Sequence, residues 1–110
     1  MAGLLFAISA HGLGHLGQAA PVCQALYALR PDLPLTIWSE LPSAILERRI
    51  DSPFRHIQQA CDIGFVMHDA LRVNVADSWA RYSAREAAWT EHLSAACRIL
   101  DDTRPDLIVS

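Results

Sequence analysis

The chain has 110 residues, of which 52% are hydrophobic and 19% charged, and its formal net charge is −3. This length suits one small domain, and the composition excludes a disordered or fibrous chain. A negative net charge gives no general attraction to nucleic acid or to an anionic membrane, and no segment has the ~20 consecutive apolar residues of a transmembrane span.

The cysteines and the N-terminus indicate the cellular compartment. The three cysteines are Cys23, Cys61 and Cys97. They are odd in number, far apart and without metal-ligand spacing, so we expect reduced thiols in a cytoplasmic protein, with Cys23 and Cys97 as small core residues of helices. The apolar N-terminus lacks basic residues and predicts a strand rather than a signal peptide. The histidines His56, His68 and His92 show no metal-binding pattern, so no metal is predicted.

Strand and helix patterns alternate along the chain. The predicted elements are a strand at 4–8, a helix at about 16–29, strands at 35–39 and 53–57 separated by a short helix at about 43–49, an irregular segment at 58–74, a long helix at about 75–102 and a strand from 107. The apolar stripe of the first helix is formed by Leu16, Ala19, Ala20, Cys23, Leu26 and either Ala28 or Leu29. Aromatic and apolar residues of the long helix recur near a heptad and are predicted to be core: Trp79, Tyr82, Trp89, Leu93, Ala96 and Leu100.

Units of about thirty residues that alternate strand and helix predict an α/β fold, a Rossmann-like parallel sheet with flanking helices. The carboxyl ends of parallel strands meet at one edge, so the loops that follow them should surround one crevice. The last apolar run stops at Ser110, and we expect a fragment cut at the entry to a loop. An unpaired sheet edge would then favour self-association.

The most informative segment is Ser9-Ala10-His11-Gly12-Leu13-Gly14-His15, between the first strand and the first helix. A glycine-rich turn at a helix N-terminus presents free N–H groups to an anion, or serves only as a turn that needs positive φ. The letters G-x-G-x-x-G and a following acidic residue also match a dinucleotide-binding motif: Gly12, Gly14, Gly17 and Glu40. That interpretation leaves two histidines unexplained. His15 is either a proton acceptor or a capping and packing residue.

On this loop the chain resembles the N-terminal half of GT-B-type glycosyltransferases. It is most similar to the glycosyltransferase-like domain of plant L-arabinokinases and its free-standing bacterial relatives. The resemblance spans nearly the whole chain and is carried by Gly12-Leu13-Gly14-His15, Asp62-Ile63-Gly64, Asp69-Ala70-Leu71-Arg72-Val73, Arg81-Tyr82-Ser83 and Pro105-Asp106-Leu107-Ile108-Val109-Ser110.

The resemblance implies that residues 1–110 form the Rossmann-like acceptor-side domain of a GT-B protein, truncated and inactive alone. The reaction would transfer a sugar from a nucleotide-sugar donor, UDP-linked, to an acceptor hydroxyl, with no other cofactor. His15 would be the general base, oriented by an aspartate expected just past Ser110. The residues expected to contact substrate or phosphate are His11, Gly12, Leu13, Gly14 and Asp69, although Asp69 could instead tether its own loop.

Two other functions are consistent with the sequence. One is a non-catalytic domain that senses a nucleotide-sugar or regulates a fused enzyme. The other is a dinucleotide-binding oxidoreductase domain. Binding of a nucleotide-sugar without transfer or hydrolysis would favour the first, and affinity for NAD without a response to UDP would favour the second.

Overall fold

The computed structural model describes residues 3–110, which form four strands and four helices. The strands are β1 (Leu4–Ala7), β2 (Leu35–Trp38), β3 (Arg55–Ile57) and β4 (Leu107–Val109). The helices are α1 (Gly14–Leu29), α2 (Ser43–Arg49), α3 (Val75–Ala87) and α4 (Trp89–Thr103). The elements follow one another as β1–α1–β2–α2–β3–α3–α4–β4.

The four strands form one parallel sheet in the order β3-β2-β1-β4. Leu4 of β1 is in register with Leu35 of β2 on one side and with Leu107 of β4 on the other. The predicted α/β, Rossmann-like parallel sheet is therefore confirmed. The chain adds β2 and β3 on one side of β1 and then returns to place β4 on the other side. This change of direction is a topological switch point, where open α/β sheets place ligands at the carboxyl ends of the strands.

The main core lies between the sheet and the helices α1 and α2. Phe6 and Ile37 contribute from the sheet, Ile8 from the position directly after β1, and Leu16 and Leu46 from the helices. All five side chains are buried. Full burial of such a side chain stabilises a fold by roughly 1.5–3 kcal/mol, so this cluster holds the β1–α1 unit in place.

The burial predicted from the sequence is correct for Cys23 and wrong for two other positions, Cys97 and the end of the α1 stripe. Cys23 of α1 is buried, as predicted, and burial raises the pKa of its thiol to about 11. Cys97 of α4 is exposed, so its prediction as a core residue was wrong. Ala28 and Leu29, the two alternatives for the last position of the α1 stripe, are both exposed, so neither belongs to the buried face.

The predicted long helix is two helices, α3 and α4, separated at Ala88. Ala88 has φ −100° and ψ 18°, in the sparsely populated bridge region that interrupts helical geometry. Alanine has the highest helix propensity, so the local sequence carries no signal for this break.

The aromatic stripe of these helices is not core. Trp79 and Trp89 are 75% and 52% exposed, and Tyr82 and Leu93 are also exposed. Heptad-like spacing marks one face of a helix but does not specify that another layer covers it. Within the described residues 75–103, the buried residues are Ser78 and Ile99, so the prediction of an aromatic core was wrong.

The edges of the sheet are formed by β3 and β4. Leu107 and Ile108 of β4 are both exposed, and self-association through this edge stays a prediction. Among residues 3–110 no helix combines the length and the apolar character needed to span a membrane.

Candidate functional site

A cleft of about 750 Å³ lies at the switch point, between the carboxyl ends of β1 and β4 and the beginning of α1. Its volume is within the usual range for small-molecule sites. The residues that line it come from five segments of the chain: Phe6, Ala7, Ile8, Ser9, His15, Gln18, Ala19, Val22, Trp38, Cys61, Asp62, Ile108, Val109 and Ser110. The crevice predicted from the strand order is therefore present.

The first loop turns at Gly12, whose φ of +78° is a conformation that favours glycine. The Gly12 N–H donates to the Ala10 carbonyl at 3.0 Å. Leu13 then precedes the first residue of α1, Gly14, and no side chain caps this helix. The first N–H groups of α1 consequently lack partners within the helix. Gly12, Leu13 and Gly14 form the turn beside the cleft without lining it.

The two histidines of the loop occupy different environments. His15 lies in the first turn of α1 and lines the cleft. His11 lies outside the lining, and its Nε2 is 3.3 Å from Oδ1 of Asp62. The His11 ring also lies against Gly64, because a β-carbon at Gly64 would be 2.6 Å from Cε1 and Nδ1 of His11. His15 is thus available to a ligand, whereas His11 joins the first loop to the segment after β3.

Asp62 was not predicted as a site residue. It belongs to the motif Asp62-Ile63-Gly64, but nothing in the sequence brings it to the first loop, 51 positions away along the chain from His11. The structure places its carboxylate on the wall of the cleft, where the side chain is 47% exposed.

Ser9 and Trp38 are two further residues that the sequence did not indicate. Both line the cleft, and neither Ser9 Oγ nor Trp38 Nε1 has a hydrogen-bond partner within the described part of the chain. A buried polar atom without a partner costs about 1–3 kcal/mol and is usually satisfied by water or a ligand. Both atoms have almost no accessible surface, so they lie behind the wall of the cleft.

Cys61 lines the cleft but is not suited to nucleophilic chemistry. Burial, followed by the negative charge of Asp62, raises the pKa of the Cys61 thiol to about 11. The thiol therefore stays protonated near neutral pH, and a thiolate is the reactive form.

Asp69 lies outside the cleft lining and closes its own loop. Its Oδ1 accepts hydrogen bonds from the N–H groups of Leu71 and Arg72, each at 2.9 Å. Its Oδ2 accepts one from Arg72 Nε at 2.7 Å. The Leu71 N–H, followed by the Arg72 side chain, lowers the pKa of the Asp69 carboxyl. The carboxylate is thus occupied within the loop, and its predicted contact with a substrate stays a prediction.

The third glycine of the dinucleotide-binding motif has no close neighbour. In that motif it allows the helix to pack closely on the strand, but a β-carbon at Gly17 would have no atom within 4 Å. Glu40, the acidic residue of the motif, is exposed two positions after the end of β2. The open space at Gly17 counts against a dinucleotide-binding function.

The side chain of His56 connects β3 to the beginning of α2. His56 Nδ1 accepts from Ser43 Oγ at 2.7 Å, and its Nε2–H donates to the Ser39 carbonyl at 3.0 Å, which ties β3 to the beginning of α2. Within residues 3–110 no three His, Cys, Asp or Glu side chains come together in a group that could hold a metal ion.

Comparison with protein-family models, with curated proteins and with solved structures finds no match to this chain.

Proposed function

We propose that the chain is the acceptor-side part of a GT-B-type glycosyltransferase, in which His15 takes the proton of the attacking acceptor hydroxyl. The observation that carries the proposal is the position of His15, in the first turn of α1 on the wall of the switch-point cleft. The sequence resemblance assigns the same residue as the base. Imidazole is the side chain that most readily exchanges protons near neutral pH.

The other features of the cleft are compatible with this chemistry. The uncapped beginning of α1 favours negative charge, such as the diphosphate of a nucleotide-sugar, by its free N–H groups and its dipole. The protonated Cys61 thiol is a poor nucleophile. Direct attack by an acceptor oxygen is consequently preferred to a covalent intermediate on the protein.

The test replaces His15 by Ala in the intact protein and measures the release of UDP from UDP-sugars in the presence of hydroxylated acceptors. Loss of a general base lowers kcat by about 10²–10⁴-fold, and the fold should be retained because His15 is exposed. The control is His92→Ala, another exposed histidine, in α4. Unchanged turnover in His15→Ala would refute the assignment.

The same measurements distinguish the alternatives. Saturable binding of a UDP-sugar without transfer or hydrolysis would identify a sensing or regulatory domain. Binding of NAD without binding of UDP would identify a dinucleotide-binding domain in spite of the geometry at Gly17.

A further inference from the structure

One face of α1 lines the cleft and stays largely accessible. The residues of this face are His15, Gln18, Ala19 and Val22. Their spacing of three or four positions places them on one side of the helix, whereas the buried residues of α1 belong to the adjacent side. His15, Gln18 and Val22 are exposed and Ala19 is half-buried. This face is therefore open to a ligand over about two turns of the helix.

The polarity of this face changes from one end to the other. His15 lies in the first turn of α1, at the carboxyl edge of the sheet. Val22 follows seven residues later, and a rise of about 1.5 Å per residue places it about 10 Å away along the helix. Val22 is 47% exposed although its side chain is apolar. The face thus begins with an imidazole and ends with an accessible apolar group.

The opposite wall of the cleft follows the same order. Val109 of β4 lines the cleft, is half-buried and packs against the main core. Ser110 and Asp62 also line the cleft, and they lie beyond the carboxyl ends of β4 and β3. The Asp62 carboxylate is 3.3 Å from an imidazole nitrogen of the first loop. Polar groups consequently gather at the carboxyl edge of the sheet, and apolar groups follow towards the amino ends of the strands.

The charged groups of the cleft disfavour a negative ligand. Among the described residues the cleft is lined by the Asp62 carboxylate and by no arginine, and the chain contains no lysine. The Asp62 side chain is 47% exposed, and its Oδ2 takes part in none of the hydrogen bonds and ion pairs found among residues 3–110. A carboxylate accepts a proton from a hydroxyl in a hydrogen bond but repels an anion. The cleft therefore favours an uncharged acceptor that carries a hydroxyl.

We infer that the acceptor is an uncharged amphipathic alcohol. Its hydroxyl end lies at the edge that carries His15 and Asp62, and its apolar part extends along Ala19 and Val22 for up to about 10 Å, the length of the open face. This deepens the proposed function, on which it rests for the identity of the reacting end, since it names the acceptor class. Alkyl glycosides and straight-chain alcohols have this chemistry.

The test compares the binding of methyl, butyl, hexyl and octyl β-D-glucopyranoside below their micellar concentrations, by ¹H–¹³C NMR of the valine methyl groups. A fully buried methylene contributes about 0.8 kcal/mol, which is about fourfold in affinity. For a groove that is open on one side, we expect affinity to rise roughly two- to fourfold per methylene. The Val22 resonances should shift saturably, and those of Val75, 74% exposed in α3, should not. Affinity that does not rise with alkyl length would overturn the inference.

Two valine variants locate the apolar part of the ligand. Val22→Ser should lower the affinity for octyl glucoside about five- to tenfold and leave the affinity for methyl glucoside unchanged, because the methyl group is too short to reach Val22. The fold should be retained, since Val22 is exposed. The matched control, Val75→Ser, changes an exposed valine outside the cleft and should bind both glycosides as the parent does. Parent affinity for octyl glucoside in Val22→Ser would overturn the inference.

The preference for an uncharged acceptor has its own comparison. 1-Hexanol and hexanoate carry the same chain length with different end groups, and hexanoate should bind about fivefold more weakly because the Asp62 carboxylate repels it. Asp62→Asn should reduce this difference. The matched control, Asp101→Asn, changes an exposed carboxylate near the end of α4 and should leave the difference unchanged. Binding of hexanoate as tight as that of 1-hexanol to the parent protein would overturn the preference.

Release of UDP by the intact protein separates this inference from the proposed function. If alkyl glycosides bind along Val22 but release of UDP does not depend on His15, the amphipathic ligand stands and the proposed function fails. If release of UDP depends on His15 while the acceptor KM changes neither with alkyl length nor in Val22→Ser, the inference fails alone.

Discussion

Gly3 is the position where a single added carbon should disturb the sheet most. It precedes β1 with a φ of +88°. Its N–H donates to Asp106 Oδ2 at 3.0 Å, and its carbonyl accepts from the Asp106 N–H at 2.8 Å. A β-carbon there would lie 2.2 Å from the Pro34 carbonyl oxygen, which accepts the Leu4 N–H at 2.9 Å. Gly3 thus joins the beginnings of β1, β2 and β4.

Two effects determine the size of the loss in Gly3→Ala. A positive φ costs a residue with a β-carbon about 1–2 kcal/mol. Relief of the contact with Pro34 needs a backbone shift of roughly 1 Å, which weakens the Leu4 hydrogen bond, and such a bond contributes about 0.5–1.5 kcal/mol. We expect the free energy of unfolding to fall by roughly 2–3 kcal/mol, a large part of the ~5–15 kcal/mol typical of a domain.

Urea unfolding followed by circular dichroism measures this change. The matched control is Gly17→Ala in α1, where an added β-carbon has no atom within 4 Å. It should raise the free energy of unfolding by up to about 1 kcal/mol, because Ala favours a helix more than Gly does. A Gly3→Ala protein as stable as the parent would refute the reasoning, whatever the control shows.

Three other measurements test the local chemistry. Iodoacetamide at neutral pH should alkylate the exposed Cys97 well before Cys61, whose pKa is raised to about 11, as peptide mass spectrometry would show; equal rates would contradict this. Ser78→Ala should lower the free energy of unfolding by about 1–3 kcal/mol, because the hydroxyl binds both the N–H and the carbonyl of Val66; no change in urea unfolding would contradict it. The lowered pKa of Asp69 means that its stabilising contribution is complete above the ordinary carboxyl pKa and is lost as pH falls through the lowered value. Its carboxyl ¹³C signal should therefore titrate below the usual Asp midpoint, and a usual or higher midpoint would exclude the loop contacts.

The elements with a strong local pattern could be predicted from the sequence. α2 lies at Ser43–Arg49, as expected from Pro42 and the residues after it, and β4 begins at Leu107 as its apolar run indicates. The break at Ala88 could not be predicted, since alanine is the best helix former. The exposure of Trp79 could not either, because periodicity identifies a face but not its neighbour.

Some features of the candidate site could also be predicted from the sequence, and others could not. The crevice and the position of His15 follow from the strand–turn–helix pattern and the parallel strand order, both of which are local or topological. The contact between His11 and Asp62 joins two loops that are distant in the sequence. A glycine is needed at position 64 because the His11 imidazole lies against its backbone. The sequence shows this glycine but does not show that the His11 ring lies beside it.

The strand order explains why Asp62 and Trp38 come to the same cleft. β2 lies between β1 and β3, so the chain leaving β3 has to pass the carboxyl end of β2, where Trp38 is the last residue, before it can reach the first loop. Contacts with α3 through Ser78 and Arg81 hold this passage in place. The location of Asp62 therefore depends on a helix whose own aromatic face is exposed. A change that moves α3 should displace Asp62 from the wall of the cleft before it alters the stability of the sheet, because the core around Phe6 and Leu46 contains no residue of α3.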